Sequence, residues 1–181
     1  AFSGPYRYND SILREAHACA VKNKRIDEIT DFIRDHIDST IEKIELLDIH
    51  GENRFFVTSK THDSSIDLTK YGEGLQRIFE IALLLSYCSD GILCIDEVDS
   101  AIHKGLLVHF AEFVQKLASK YNVQLFLSTH SKECVDAFSR TQHGDMMAFA
   151  LQTTQDDAVD FRYMEGEKLN ELINIIDLDI R

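Results

Sequence analysis

Two adjacent carboxylates, Asp96-Glu97, close the short apolar run Gly91-Ile-Leu-Cys-Ile95. A divalent cation on nucleotide phosphates needs a carboxylate nearby, often through water, because Mg²⁺ keeps much of its hydration shell. A second carboxylate beside it can orient an attacking water or accept its proton. A second apolar run, Val123-Gln-Leu-Phe-Leu127, ends in Ser128-Thr129-His130-Ser131. A histidine at such a tip can donate a hydrogen bond to a terminal phosphate or to a polarised water. It also stands at a helix start, a natural anion site. The third group is Gly72-Glu73-Gly74-Leu75-Gln76-Arg77, where glycines at a helix start leave backbone N–H groups free to receive a phosphate. Each element has a plainer reading: solvated acids at a strand end, a surface histidine, a loop-to-helix turn. The apolar residues before Asp96 and the Asp99-Ser100 turn after Glu97 favour chemistry. Together the two strand tips read as the Mg²⁺- and water-handling half of a nucleotide hydrolase. No Gly-x-x-x-x-Gly-Lys-Ser/Thr phosphate loop occurs in the 181 residues.

The elements that must position these groups follow from periodicity. From Gly72 onward the pattern alternates between helix and strand: a helix to about Tyr87, the Asp-Glu strand, a helix from about Lys104 to Lys120, the His130 strand, and a short helix over Ser131 to Phe138. That alternation predicts a parallel sheet with helices packed on it, and such sheets place their chemistry at the carboxyl edge of the strands. Met146 to Gln152 and Ala158 to Met164 read as further strands, and Glu165 to Ile176 as a last helix. Upstream, Gly4-Pro5 marks a turn in an extended opening. Ser11 to about Asn23 and Arg25 to His36 carry apolar residues at helical spacing. Ile41 to Ile49 and Phe55 to Thr58, joined by Gly51-Glu-Asn, predict a β-hairpin. A loop over Ser59 to Ser65 leads to Ile66–Tyr71. The expected organisation is a helical segment over 1–40, a hairpin and linker over 41–71, and an α/β core over 72–181.

Composition narrows the class. Hydrophobic residues make up 44% and charged residues 28%, ordinary for a globular protein. A net charge of −12 argues against a chain that wraps a nucleic-acid backbone by itself, because phosphate affinity needs clustered Lys and Arg. It leaves room for a basic partner. Cys19, Cys88, Cys94 and Cys134 form no CxxC pair, so reduced thiols are expected. His130 and Cys134 lie at i, i+4 spacing, yet zinc needs more ligands, and core packing of Cys134 is the better reading. No signal peptide or membrane span is visible, which makes the cytoplasm the expected compartment.

In order, these motifs resemble the C-terminal half of an ABC-type ATPase head, and in particular the bacterial AAA-family ATPases related to the OLD and SMC-like proteins. Tyr71-Gly-Glu-Gly-Leu-Gln-Arg77 looks like the signature motif and Ile92-Leu-Cys-Ile-Asp-Glu97 like Walker B. Val98-Asp-Ser-Ala-Ile-His103 is similar to the D-loop, and Leu127-Ser-Thr-His-Ser-Lys-Glu133 to the switch-histidine segment. The ending Leu178-Asp-Ile-Arg181 also looks like a C-terminus of that family. The resemblance covers most of the chain from about Ile41.

It implies that Asp96 holds Mg²⁺ through water, that Glu97 is the catalytic base and that His130 senses the γ-phosphate of ATP. Two molecules would face each other, with Gly72, Glu73 and Gly74 of one covering the nucleotide of the other and Asp99 and Ser100 at the seam. Gly72 occupies a place where Ser is common. Family members carry the phosphate loop in a preceding lobe, so this chain is expected to be the second lobe of a longer or split ATPase. Relatives of this type imply a nuclease or toxin effector, nucleic acid reached through a partner, and a role in bacterial anti-phage defence. An SMC-like DNA-repair head and a non-hydrolysing assembly module are the alternatives. Glu165-Gly166-Glu167 and Asp177-x-Asp179 faintly resemble Toprim motifs, but a helix cap and an acidic tail fit the short chain better.

Overall fold

The computed structural model describes residues 1–5, 10–141, 145–153 and 159–176. Its centre is a parallel sheet in the order β1-β5-β6, formed by β1 (Phe2–Ser3), β5 (Ile92–Ile95) and β6 (Gln124–Leu127). Leu93 opposes Leu125 and Ile95 opposes Leu127, while Phe2, Cys94 and Phe126 form one cross-strand row. Because side chains alternate across a strand, Ser3, Leu93 and Ile95 point into the core and are buried. Phe2, Ile92 and Phe126 point the other way and are 55%, 52% and 54% exposed.

Helices cover the inner face. The helix α3 (Glu73–Tyr87) is apolar around most of its circumference and buries Leu75, Ile78, Phe79 and the Ile81–Leu85 run. Such a helix belongs at the centre of a core. α4 (Leu107–Lys120) is instead amphipathic and buries Phe110, Ala111, Phe113, Val114, Leu117 and Ala118. α5 (Lys132–Ser139) and α6 (Gly166–Ile176) follow the chain outward. α1 (Asp10–Lys22) packs on α3, and α2 (Ile26–His36) lays Phe32 flat on Phe113 of α4 with ring centroids 3.9 Å apart.

The remaining strands form two antiparallel sheets. β2 (Ile41–Ile49), β3 (Glu52–Ser59) and β4 (Ile66–Asp67) make one. Its hairpin turn is His50-Gly51, one residue earlier than Gly51-Glu-Asn suggests, and both residues have positive φ, 57° and 84°. A two-residue turn with both φ positive matches the right-handed twist of the strands, and it frees Glu52 and Asn53 to pair with Ile49 and Asp48. A 3₁₀ turn over Leu68–Tyr71 links this sheet to α3. β7 (Met147–Thr153) and β8 (Val159–Glu165) form the third sheet, a two-stranded ribbon. The tail motif at Leu178–Arg181 and the Asp177-x-Asp179 pair lie outside the described residues. All four cysteines are free thiols. Among the described residues no helix is long and apolar enough to cross a membrane.

Glu28 fastens α2 to the end of α4. Its carboxylate accepts hydrogen bonds from Lys120 Nζ at 2.6 Å and Tyr121 Oη at 3.1 Å, and Lys116 Nζ stands 3.4 Å away. Burial alone would raise its pKa, but the bonds from Lys120 and Tyr121 outweigh it and hold the carboxyl below the ordinary value of 4.5. The stabilisation is therefore present above that value and is lost as pH falls through the depressed one. Glu28→Gln is expected to lower the unfolding free energy at pH 7 by on the order of 1 kcal/mol. In urea titrations the gap to wild type should shrink as pH falls through the depressed carboxyl pKa; a gap of unchanged size across the acid range would contradict the assignment.

Candidate functional site

The parallel register sets the tips of β5 and β6 side by side, and a serine clasps them. Ser128 N–H donates to Ile95 C=O at 3.0 Å, and Ser128 C=O accepts the Val98 N–H at 3.0 Å. The Ser128 hydroxyl accepts the Glu97 N–H at 3.0 Å and donates to the Asp96 carboxylate. One side chain thus fixes both acidic residues. Glu97 has φ of 46°, a left-handed conformation uncommon for a residue with a side chain and a recurrent feature of functional turns.

The turn after Glu97 is closed by Ser100 N–H on Glu97 C=O and Ile102 N–H on Asp99 C=O. Asp99 reaches across to the switch segment, accepting a 2.5 Å bond from Thr129 Oγ1. Thr129 Oγ1 in turn accepts the Ser131 N–H at 3.0 Å, and Ser131 Oγ caps α5 by accepting the Cys134 N–H. Glu97, Asp99, Ser100, His130 and Ser131 line one open recess of about 320 Å³. Asp96 is exposed and is not among the lining residues.

The recess is acidic. Glu97 and Asp99 line it, Asp96 precedes Glu97 in the chain, and the nearby Lys104 is engaged with Glu133. Lys104's hydrogen bond brings the Glu133 pKa down to about 2. Cys134 is fully buried, and burial first and the Asp99 charge second push its thiol up to about 12, so it is packing and not a ligand. The donors on offer are hard oxygens and one imidazole, a set that suits Mg²⁺ better than a soft metal. Among the described residues no group of three or more His, Cys, Asp and Glu is arranged to hold a metal. Mg²⁺ is commonly held by one or two carboxylates together with substrate phosphates, and Asp96 fits that mode.

The signature-like turn is placed elsewhere. Gly72, Glu73 and Gly74 do not line the recess; they open α3, with Gly72 at φ 95° and ψ 157°. Those angles are essentially restricted to glycine, which accounts for Gly at 72. Gly74 is held for a different reason: a Cβ there would lie 2.7 Å from the Ala101 carbonyl oxygen. Ala101 itself has φ of 64°. The start of α3 and the turn after Glu97 are therefore in backbone contact.

Sequence reasoning passed over Ser128 and the buried charges of α3. The signal for the second was present, since Arg77 and Glu80 stand at i, i+3 spacing among the apolar residues Leu75, Ile78, Phe79 and Ile81.

Comparison with known proteins adds the family. The profile described as "AAA domain, putative AbiEii toxin, Type IV TA system" matches residues 6–136. The chain belongs to this AAA domain family. A protein of Methanocaldococcus jannaschii named "Uncharacterized protein MJECL11" is 38% identical over 65 residues, 36% of this chain and 57% of that one. An "ATP/GTP phosphatase" of Helicobacter pylori is 22% identical over 134 residues, 71% of this chain and 36% of that one. The AAA domain chain thus spans about half or less of the length of these relatives. Solved structures share its fold at low identity. A chain from work on ATP-driven dimerization and DNA-stimulated activation of SMC ATPases has a TM-score of 0.57 at 10% identity, covering 94% of this chain and 98% of that one. An SMC head bound to the C-winged helix domain of ScpA has a TM-score of 0.55 at 11% identity, covering 84% and 48%. The α/β fold is that of an SMC ATPase head.

The close approach at Gly74 gives a direct test. Gly74→Ala is expected to lower the unfolding free energy by about 1–3 kcal/mol, the usual cost of forced overpacking. A wild-type urea midpoint would mean that the α3 start and the Ala101 turn do not depend on each other.

Proposed function

We propose that this AAA domain is the Walker B, signature and switch-histidine lobe of an ATPase that dimerises around Mg-ATP. The observation that carries the reading is the shared recess: Glu97 and His130 come from different strand tips and face one cavity, with Asp96 pinned beside it by Ser128. In this reading Asp96 holds Mg²⁺ through water, Glu97 orients and deprotonates the attacking water, and His130 donates to the γ-phosphate. When bound, the cation supplies neutralisation of the charge that develops on the transferred phosphoryl oxygens. Gly72, Glu73 and Gly74 present the amides of the α3 start to a nucleotide held by the opposing molecule. Asp99 and Ser100 stand at the seam. The division of labour puts the hydrolytic groups in 72–181, with 41–71 as a supporting hairpin segment and 1–40 supplying two helices together with β1 of the central sheet.

The triphosphate cradle comes, in this proposal, from a phosphate-loop lobe in the same longer chain or a separate subunit. Electrostatics supports this: a recess lined by Glu97 and Asp99 repels a triphosphate unless cations from elsewhere neutralise it. Packing supports it too. Parallel sheets are normally covered on both faces, and here one face carries Phe2, Ile92 and Phe126 in the open. In this proposal the domain works in the cytoplasm in anti-phage defence, with a nuclease or toxin effector driven by the ATPase and nucleic acid reached through that partner; the family description, "putative AbiEii toxin, Type IV TA system", supports the toxin link. The fold of SMC heads favours a DNA-repair head as the second reading, and a module that binds without hydrolysing is the third.

Calorimetric titration of this chain with Mg-ATP is expected to show no saturable binding until the phosphate-loop lobe is added; tight binding by the chain alone would overturn the two-lobe reading. In the assembled protein, Glu97→Gln is expected to lower kcat about 100-fold or more and to accumulate ATP-bound dimers visible by light scattering. Normal turnover would remove Glu97 from its role, and absence of any hydrolysis in the wild type would favour the non-hydrolysing module.

A further inference from the structure

Arg77 and Glu80 sit on successive turns of α3 and are only 6% and 8% exposed. Their side chains form a closed polar knot with Ser3 of β1. Arg77 Nη1 donates to Ser3 Oγ and to Glu80 Oε2, the latter at 3.3 Å, while Ser3 Oγ donates to Glu80 Oε1 at 2.7 Å. The second arm of the guanidinium leaves the knot. Arg77 Nη2 donates to the backbone carbonyl of Asp96 at 2.9 Å.

A buried ion pair is weak evidence for stability, because an apolar pair of similar volume commonly serves as well. What an apolar pair cannot do is hold a carbonyl. The Asp96 carbonyl belongs to the peptide that joins Asp96 to Glu97, so the plane of that peptide sets φ at Glu97, the residue found at 46°. Its carbonyl is held by Arg77 on one side and its N–H by Ser128 Oγ at 3.0 Å on the other. Adjacent to it, Asp96 N–H is fixed on the Ser3 carbonyl at 2.8 Å.

We propose that Arg77 is a positioning residue for the ATPase reaction: from inside the core it clamps the Asp96–Glu97 peptide and so aims the Glu97 carboxylate into the recess. The inference rests on the reading of Glu97 as the base. It also gives α3 a mechanical role. The helix that begins with the Gly72–Gly74 turn grips the Walker B-like turn at two points, Arg77 on the Asp96 carbonyl and Gly74 against the Ala101 carbonyl. A nucleotide that shifts the start of α3 would therefore act on Glu97 in the same molecule.

Two variants separate clamping from simple stability. Arg77→Lys keeps the charge beside Glu80 but has one nitrogen in place of a planar fork, and cannot serve the knot and the Asp96 carbonyl together. The double variant Arg77→Met with Glu80→Met removes both charges and keeps apolar volume. In both, hydrogen exchange at the Glu97 and Val98 amides of the 181-residue chain is expected to quicken, while exchange in the centre of α4 stays as in wild type. In the full assembly with its phosphate-loop lobe, kcat is expected to fall about 10- to 100-fold with KM for ATP within about twofold. Wild-type exchange at Glu97 and Val98, or a kcat loss that merely follows melting temperature across the variants, would overturn the proposal. A wild-type assembly that hydrolyses nothing would defeat the reading of Glu97 as a base, yet the exchange comparison would still decide whether Arg77 holds the peptide.

Discussion

Everything near the recess depends on the parallel pairing of β5 with β6. Ile95 faces Leu127 across the ladder, so the residues that follow each strand leave the sheet at the same height. A slip of one residue would turn Leu93 and Ile95 outward and carry Glu97 away from His130. Two ladder-like bonds from the Ser128 backbone extend the pairing past the end of the sheet, to Ile95 and Val98. The serine hydroxyl then uses both its donor and its acceptor capacity on the neighbouring strand's acids. Backbone register thereby becomes side-chain placement with no flexible loop between them.

The polar groups divide by depth. At the surface, the acids of the recess are partly exposed, and the Lys104–Glu133 pair beside them is largely exposed and adds little to stability. In the interior, the Arg77–Glu80–Ser3 knot is cut off from water, where each unmet hydrogen bond costs far more. Low-lying rigid links beneath an exposed upper layer suit the nucleotide site proposed above, which must keep its shape while its ligand comes and goes.

The sequence makes some of this readable and hides the rest for physical reasons. Asp96-Glu97 and His130 are visible because a short apolar run ending in polar residues has one common structural meaning in an alternating α/β chain. The order of helices and strands after Gly72 is visible for the same reason. The strand at Phe2–Ser3 is not: two residues carry no periodicity, and its partner Cys94–Ile95 lies far along the chain. The His50-Gly51 turn misleads because histidine seldom takes positive φ, whereas the tight hairpin imposes it there. Gly74 can be read as a phosphate-binding glycine, yet its contact with Ala101 is a packing reason that no local pattern reveals. Ser128 stands in plain sight within Ser128-Thr129-His130, but its role comes from a strand that folds against it.

The ribbon of β7 and β8 carries a consequence of another kind. Register places Phe149 opposite Tyr163 and Leu151 opposite Phe161, so Met147, Phe149, Leu151, Val159, Phe161 and Tyr163 share one face, and all are more than half exposed. A lone two-stranded ribbon is marginal in water, and an apolar surface of this extent invites association. Left uncovered in a cell, such a face is what chaperones and proteases act upon. The lifetime of the folded chain therefore depends on whether that face is covered.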